Sequence, residues 1–162
     1  MNSQQEKLLQ VNQLTTGFRT EEGFAPAVQD VSFEIGQGQT FALVGESGCG
    51  KSVTALSIMR LVPDPPGEIV SGKIELEGLD LLKLNENRMR KVRGNRISMV
   101  FQEPMTSLNP VFTVGNQIVE AVRMHQKVRR RAAWPQAEAA LKEVGIPDPT
   151  QRVSEYPHQM SG

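Results

Sequence analysis

The sequence is short of the residues that build cross-links and most metal centres. Among 162 residues there is one cysteine, Cys49, together with two histidines, one tryptophan and one tyrosine. A lone cysteine cannot close an intramolecular disulfide. His125 and His158 lack Cys or carboxylate partners at ligand spacing, so neither suggests a metal site. Net charge is also missing, because 18 Lys and Arg balance 18 Asp and Glu. A neutral chain has no long-range field to hold it on nucleic acid or an anionic membrane, so an anionic ligand must be gripped locally, in a loop. Long apolar runs are absent as well. Phe41-Ala42-Leu43-Val44 is typical of the longest, far below the roughly 20 residues that span a bilayer. The polar start, residues 1–7, has no apolar core of the kind a signal peptide needs. The expectation is a cytoplasmic chain that reaches a membrane only through a partner.

What is present is ordinary for a globular protein: 38% hydrophobic and 22% charged residues, enough for about one domain. Residues 8–14 read as a first strand, followed by a loose segment holding Phe18 and Phe24. Val31, Phe33 and Ile35 alternate with polar residues, and Gly36 and Gly38 mark a turn before residues 40–44. That pattern predicts an antiparallel hairpin feeding a buried strand. A helix is expected from Ser52 to Leu61, stopped by Pro63, Pro65 and Pro66. A half-exposed strand follows at residues 72–78, then a basic helix from Asn85 with Gly94 as its stop. Residues 97–101 read as a second buried strand. Beyond Pro110 the chain turns helical, with Val114, Ile118, Val119 and Val122 marking one helix to Gln126 and an alanine-rich helix over residues 132–144. Lys127, Arg129, Arg130 and Arg131 join the two as a solvated junction.

The chemistry concentrates in Gly45-Glu46-Ser47-Gly48-Cys49-Gly50-Lys51-Ser52, which fits the phosphate-binding spacing of Gly, four residues, then Gly-Lys-Ser. By average residue usage this pattern arises by chance in roughly one chain of this size in two hundred. It follows an apolar run and opens a helix, which aims backbone N–H groups and the positive end of the helix dipole at an anion. Glycine lets the backbone curl around phosphate oxygens, Lys51 adds a mobile charge for the outer phosphates, and the Ser52 hydroxyl can serve Mg²⁺, a hard cation that prefers oxygen. Cys49 has two readings: a small residue tolerated in the loop, or a thiol activated by the helix N-terminus and Lys51.

A second signal lies in Val100-Phe101-Gln102-Glu103-Pro104-Met105-Thr106-Ser107-Leu108-Asn109-Pro110, at the end of an apolar run. A third closes the chain as Tyr156-Pro157-His158-Gln159-Met160-Ser161-Gly162. The order of phosphate loop, strand ending in Gln102 and helical region ending in Met-Ser-Gly resembles the ATP-binding subunit of an ABC transporter. The wording of the second and third signals resembles the oligopeptide, dipeptide, nickel and glutathione import branch. The resemblance runs from about Leu8 to Gly162. It implies an α/β P-loop NTPase core with an N-terminal antiparallel β subdomain and a helical subdomain. Residues 1–104 would be the N-terminal part of the nucleotide-binding core, and residues 105–162 the helical subdomain leading into the signature.

Carried over by position, residues 45–52 are the Walker A loop, with Lys51 catalytic and Thr54 near the α-phosphate. Gln102 is the Q-loop glutamine, expected to bind Mg²⁺ or the attacking water and to report nucleotide state. Phe18 matches the ring that stacks on adenine, with Phe24 competing for that place. Met160 replaces the usual signature leucine at similar volume, and Ser161 and Gly162 would touch the γ-phosphate held by the opposite protomer. The implied cofactors are ATP and Mg²⁺. The implied partners are membrane permease subunits, a second ATP-binding subunit and, indirectly, an extracytoplasmic solute-binding protein, with no nucleic acid. The implied place is the cytoplasmic face of the inner membrane, peripheral through the permease.

A hydrolase of this class also needs an apolar strand ending in Asp for Mg²⁺, then Glu to polarise the attacking water. No such strand follows the phosphate loop in this sequence. The chain is therefore expected to be an N-terminal part of a longer protein, lacking the C-terminal part of the core and able at most to bind nucleotide alone. Two other readings share the motifs: a soluble ABC ATPase without a membrane partner, and a non-hydrolysing nucleotide-binding module.

Overall fold

A computed structural model describes residues 7–101 and 107–160. The chain divides into two compact units, residues 1–90 and 91–162, a division that falls earlier than the change in residue character at 104.

In the first unit, β1 (Lys7–Thr20), β2 (Gly23–Gly36), β3 (Gly67–Leu76) and the short β4 (Leu79–Asp80) form one sheet in the order β2-β1-β3-β4. Every pairing is antiparallel, as the N-terminal β subdomain required. β1 is twice as long as residues 8–14, because an irregularity carries it past the point where its alternation breaks. Leu9 and Val11 face the core, then Leu14 and Thr16 do so. The register shifts between Val11 and Leu14, and Gln13 adopts a positive φ of 48°. An extra residue in one strand flips the side-chain parity without ending the pairing. The segment expected to be loose is thus strand, and it returns through a two-residue turn into β2. Glu77 and Gly78, both at positive φ, make the tight turn from β3 to β4.

α1 (Lys51–Met59) buries Thr54, Ser57, Ile58 and Met59. The Ser57 hydroxyl donates to Thr16 Oγ1 at 2.9 Å, fixing α1 on β1. At its end the Arg60 guanidinium donates to the carbonyls of Leu81 and Leu84, at 3.1 and 2.6 Å. Leu81 opens and Leu84 follows a single 3-10 turn, Leu81–Lys83, which Asp80 caps by accepting from the Leu82 N–H. α2 (Glu86–Val92) is the basic helix that was expected, started by Asn85, whose side chain accepts from the Arg88 N–H.

Two expectations fail. Residues 40–44 and 97–101 are not buried strands: neither forms a ladder among the described residues, and Ile97 makes only an isolated bridge to Arg93. Val44 is 86% exposed and Val100 90%. Continuous apolar runs are buried when strands flank them on both sides and helices cover both faces. All four described strands are instead committed to the antiparallel sheet.

In the second unit, α3 (Val114–Gln126) and α4 (Arg130–Glu143) are followed by α5 (Pro149–Arg152) and a single 3-10 turn, Pro157–Gln159. Thr113 caps α3, its hydroxyl accepting from the Asn116 N–H. The core is Val114, Val119, Ala133, Ala137, Leu141 and Val153, with Trp134 and Met160 packed against it. Gly115 is required for close approach, because a Cβ there would lie 2.4 Å from both Val153 Cγ2 and the Val153 carbonyl oxygen.

Candidate functional site

The phosphate loop departs from residues 40–44 and ends where α1 begins. Its last glycine, Gly50, is the N-cap of α1 with φ 89°, a left-handed conformation, and no side chain caps the helix. The first-turn N–H groups of α1 therefore have no side-chain acceptor and point out of the helix end. Gly50 is also pressed against the sheet: a Cβ would lie 2.3 Å from the Ala27 carbonyl oxygen on β2. Gly48 shares the left-handed conformation, at φ 83°, but faces open space. A side chain at Gly45 would collide with Cys49 Sγ at 2.5 Å.

Lys51 arches back over the loop it follows. Its Nζ donates to the carbonyls of Gly45 and Glu46 at 2.8 and 2.6 Å, and lies 3.4 Å from Cys49 Sγ. The ammonium thus sits at the mouth of a turn closed by the Cys49 N–H donating to the Glu46 carbonyl at 3.3 Å. A positive charge beside a helix N-terminus, on a loop of small residues, has the donor set a phosphate needs. Ser52 is exposed in the first turn of α1. Among the described residues no cluster of three His, Cys, Asp or Glu could hold a metal ion. Mg²⁺ at this loop would take its remaining ligands from phosphate and water.

Beside the loop, β2 and α1 frame a cleft of ≈ 260 Å³ lined by Ala27, Val28, Gln29, Val31, Leu43, Val44, Cys49, Lys51 and Thr54. Thr54 is buried and its hydroxyl donates to the Gly50 carbonyl at 3.0 Å. It braces the loop from within the helix, and an α-phosphate contact would have to displace that bond. Phe18 is half-buried on β1, opposite Ala25 of β2 and Gly67 of β3. Phe24 is 41% exposed and lies over Gly17. Both rings are on the β1–β2 hairpin, a few residues along from Ala27, where the phosphate loop docks.

Gln102, Ser161 and Gly162 lie outside the described residues. His125 lies on α3, with Nε2 where it would meet a Cβ on Gly94, and His158 stacks on Tyr156 with ring centroids 5.7 Å apart. The sequence reading missed Ala27, whose carbonyl is the floor under Gly50; a backbone contact between distant residues leaves no local signal.

The sequence profile of the ABC transporter family matches residues 28–162. The chain is 50% identical over 161 residues to the "Probable peptide ABC transporter ATP-binding protein y4tR" of Sinorhizobium fredii, covering 99% of this chain and 48% of that protein. It is 49% identical over 157 residues to the dipeptide transport ATP-binding protein DppD of Bacillus subtilis, covering 97% of this chain and 47% of that protein. The chain thus spans about half the length of the curated relatives it matches. Among solved structures, the dimeric post-hydrolysis ATP-binding cassette MJ0796 bound to ADP and Pi superposes with a TM-score of 0.80 at 20% identity. That match covers 94% of this chain and 63% of the other, and it establishes the fold alone. With its phosphate loop at the head of α1, its antiparallel sheet and its helical unit, the chain belongs to the ABC transporter family.

Proposed function

We propose that this chain is the nucleotide-binding part of an energy-coupling ATPase subunit that drives import of peptides or related small solutes. The observation that carries the reading is near-50% identity along almost the whole chain to peptide-transport ATP-binding proteins. The loop geometry supports it. Residues 45–52 would hold the phosphates of ATP through backbone N–H groups at the start of α1, with Lys51 leaving its carbonyl partners for the outer phosphates. Ser52, and Gln102 beyond the described residues, would serve Mg²⁺; the bound ion supplies charge neutralisation on the phosphates. Phe18 or Phe24 would stack on the base.

In the whole protein, Ser161 and Gly162 would complete the site of a second ATP-binding subunit, and the carboxylates for hydrolysis would come from outside these residues. The segment from Gln102 through the Asn109-Pro110 turn would engage the permease. The subunit then sits peripherally at the cytoplasmic face of the membrane and meets the extracytoplasmic solute-binding protein only indirectly. No helix among the described residues is long and apolar enough to cross a membrane. Nucleic acid is not among the proposed partners.

The test is Mg²⁺-dependent ATP turnover by the whole protein, with and without its permease in vesicles. Turnover stimulated by the permease, with ATP affinity lowered on the order of tenfold or more by Lys51→Ala, is the expected result. Turnover indifferent to a permease would point to a soluble ATPase, and binding without turnover to a nucleotide-binding module; either would overturn the reading.

A further inference from the structure

The helical unit closes on a set of hydrogen bonds that serve neither the phosphate loop nor its docking on the sheet. After α5 the described residues hold one more element, the 3-10 turn Pro157–Gln159, and the chain there is held in two stages. The first stage is main chain. The Val114 and Gly115 N–H groups, in the first turn of α3 where no intrahelical acceptor exists, donate to the carbonyls of Glu155 and Val153 at 2.9 and 2.8 Å. Val153 is also fully buried in the core of the unit. Residues 153–155 are thereby fixed to α3.

Residues 156–160 then form a turn closed on itself. The Tyr156 N–H donates to Gln159 Oε1 at 2.8 Å, the Gln159 N–H to the Tyr156 carbonyl at 2.9 Å, and the Met160 N–H to the Pro157 carbonyl at 3.1 Å. Pro157 is buried and Met160 packs against the apolar core, but burial is non-directional and leaves the orientation of a peptide plane open. A directional contact comes from Arg152, the last residue of α5. Its Nη1 donates to Glu155 Oε2 at 2.9 Å and to the Gln159 carbonyl at 3.2 Å, while Gln151 Nε2 donates to the other Glu155 oxygen at 3.0 Å. One nitrogen thus bridges the anchored Glu155 and the peptide that joins Gln159 to Met160. The Arg152 side chain is 33% exposed and that of Glu155 16%, so the pair escapes much of the solvent screening that makes fully exposed pairs weak.

We infer that Arg152 is a positioning residue for the end of the helical unit: it sets the peptide plane from which the chain continues to Ser161 and Gly162. This rests on the proposal that those two residues complete the site of a second ATP-binding subunit. Arg152 belongs to the second unit and the phosphate loop to the first, so its loss should spare nucleotide capture and slow the step that needs both subunits.

The experiment uses the whole protein with its permease in phosphatidylethanolamine and phosphatidylglycerol vesicles. Steady-state turnover gives kcat, and titration with a fluorescent ATP analogue, with Mg²⁺ chelated to stop turnover, gives nucleotide affinity. Arg152→Met keeps the aliphatic stem and removes both bonds, while Arg152→Lys keeps a charged donor. Far-UV circular dichroism and Trp134 fluorescence confirm folding of each variant. Expected for Arg152→Met is a fall of about tenfold in kcat, the scale of one or two net hydrogen bonds. Arg152→Lys should lie between it and the parent, with nucleotide affinity unchanged within about twofold for both. A third variant, Ser161→Arg, tests the underlying reading. If it abolishes turnover while Arg152→Met does not lower kcat, the positioning role is wrong and the reading stands. If it leaves turnover intact, the reading of Ser161 fails and the inference falls with it. Parallel loss of affinity and kcat in Arg152→Met would show a merely structural residue and refute the inference, and so would a lysine variant no better than the methionine one.

Discussion

Gly48 and Gly50 offer a matched pair for measuring how firmly the phosphate loop is seated on the sheet. Both are left-handed, at φ 83° and 89°, so replacing either with alanine incurs a similar backbone strain, about 1–3 kcal/mol. They differ in what the new Cβ meets. At Gly48 there is nothing within 4 Å, whereas at Gly50 the Ala27 carbonyl oxygen is 2.3 Å away and Val28 Cγ2 3.1 Å. The carbonyl is main chain, held between Pro26 and Val28, which pair with Gly17 and Thr16 of β1, so it cannot swing aside as the end of a flexible side chain could. Relieving the overlap means moving α1 or β2, at a cost in the overpacking range of about 1–3 kcal/mol. Gly48→Ala should therefore lose about 1–3 kcal/mol and Gly50→Ala about 2–6 kcal/mol.

Urea unfolding followed by far-UV circular dichroism measures both losses. Hydrogen exchange of the β1–β2 amides should show the extra loss of Gly50→Ala concentrated next to Ala27. ATP affinity is the wrong readout for this comparison, because both glycines border the proposed phosphate site. Equal losses in the two variants would refute the idea that β2 is the floor of the loop, and so would a Gly50→Ala protein as stable as the parent.

Two further outcomes follow from the helical unit. Leu141→Ala removes a side chain 6% exposed in the core around Val153; it should cost about 2–5 kcal/mol and lower the unfolding midpoint reported by Trp134, the only tryptophan. The Arg152 hydrogen bond to Glu155, aided by one from Gln151, holds the Glu155 carboxyl below its ordinary value of 4.5. A depressed carboxyl stabilises the fold above its unfolded value and loses that contribution as pH falls through the lower folded value. Melting temperatures measured down the acid limb should thus fall less steeply for Glu155→Gln than for the parent, and identical limbs would show that the pair contributes nothing.

The features legible in the sequence are those whose cause is local. The Gly-Lys-Ser spacing needs only a loop and the helix it opens, so residues 45–52 took the expected place. α3 occupies Val114–Gln126 as read, because Thr113 supplies the cap and the apolar spacing supplies the face. β1 was read short because the irregularity at Gln13 breaks its alternation, and a parity switch looks like an ending in one dimension. Residues 40–44 were read as buried because apolar content was taken for burial, which depends on flanking strands that residues nearby in sequence cannot supply. Arg152 was invisible for a related reason: its acceptor, the Gln159 carbonyl, comes within reach only once the chain after α5 folds back on itself.

The site's competence depends on how little freedom α1 retains. A nine-residue helix is marginal in isolation, yet this one is fixed at three points. Gly50 rests on Ala27 at its start, Ser57 bonds to Thr16 at its middle, and Arg60 reaches Leu81 and Leu84 at its end. Each point belongs to a different part of the first unit: β2, β1 and the turn after β4. A ligand arriving at the helix N-terminus then meets N–H groups already aimed, which lowers the ordering cost subtracted from its affinity. The antiparallel sheet is in this sense part of the proposed phosphate site, although none of its described strands carries a residue of the Gly-Lys-Ser loop.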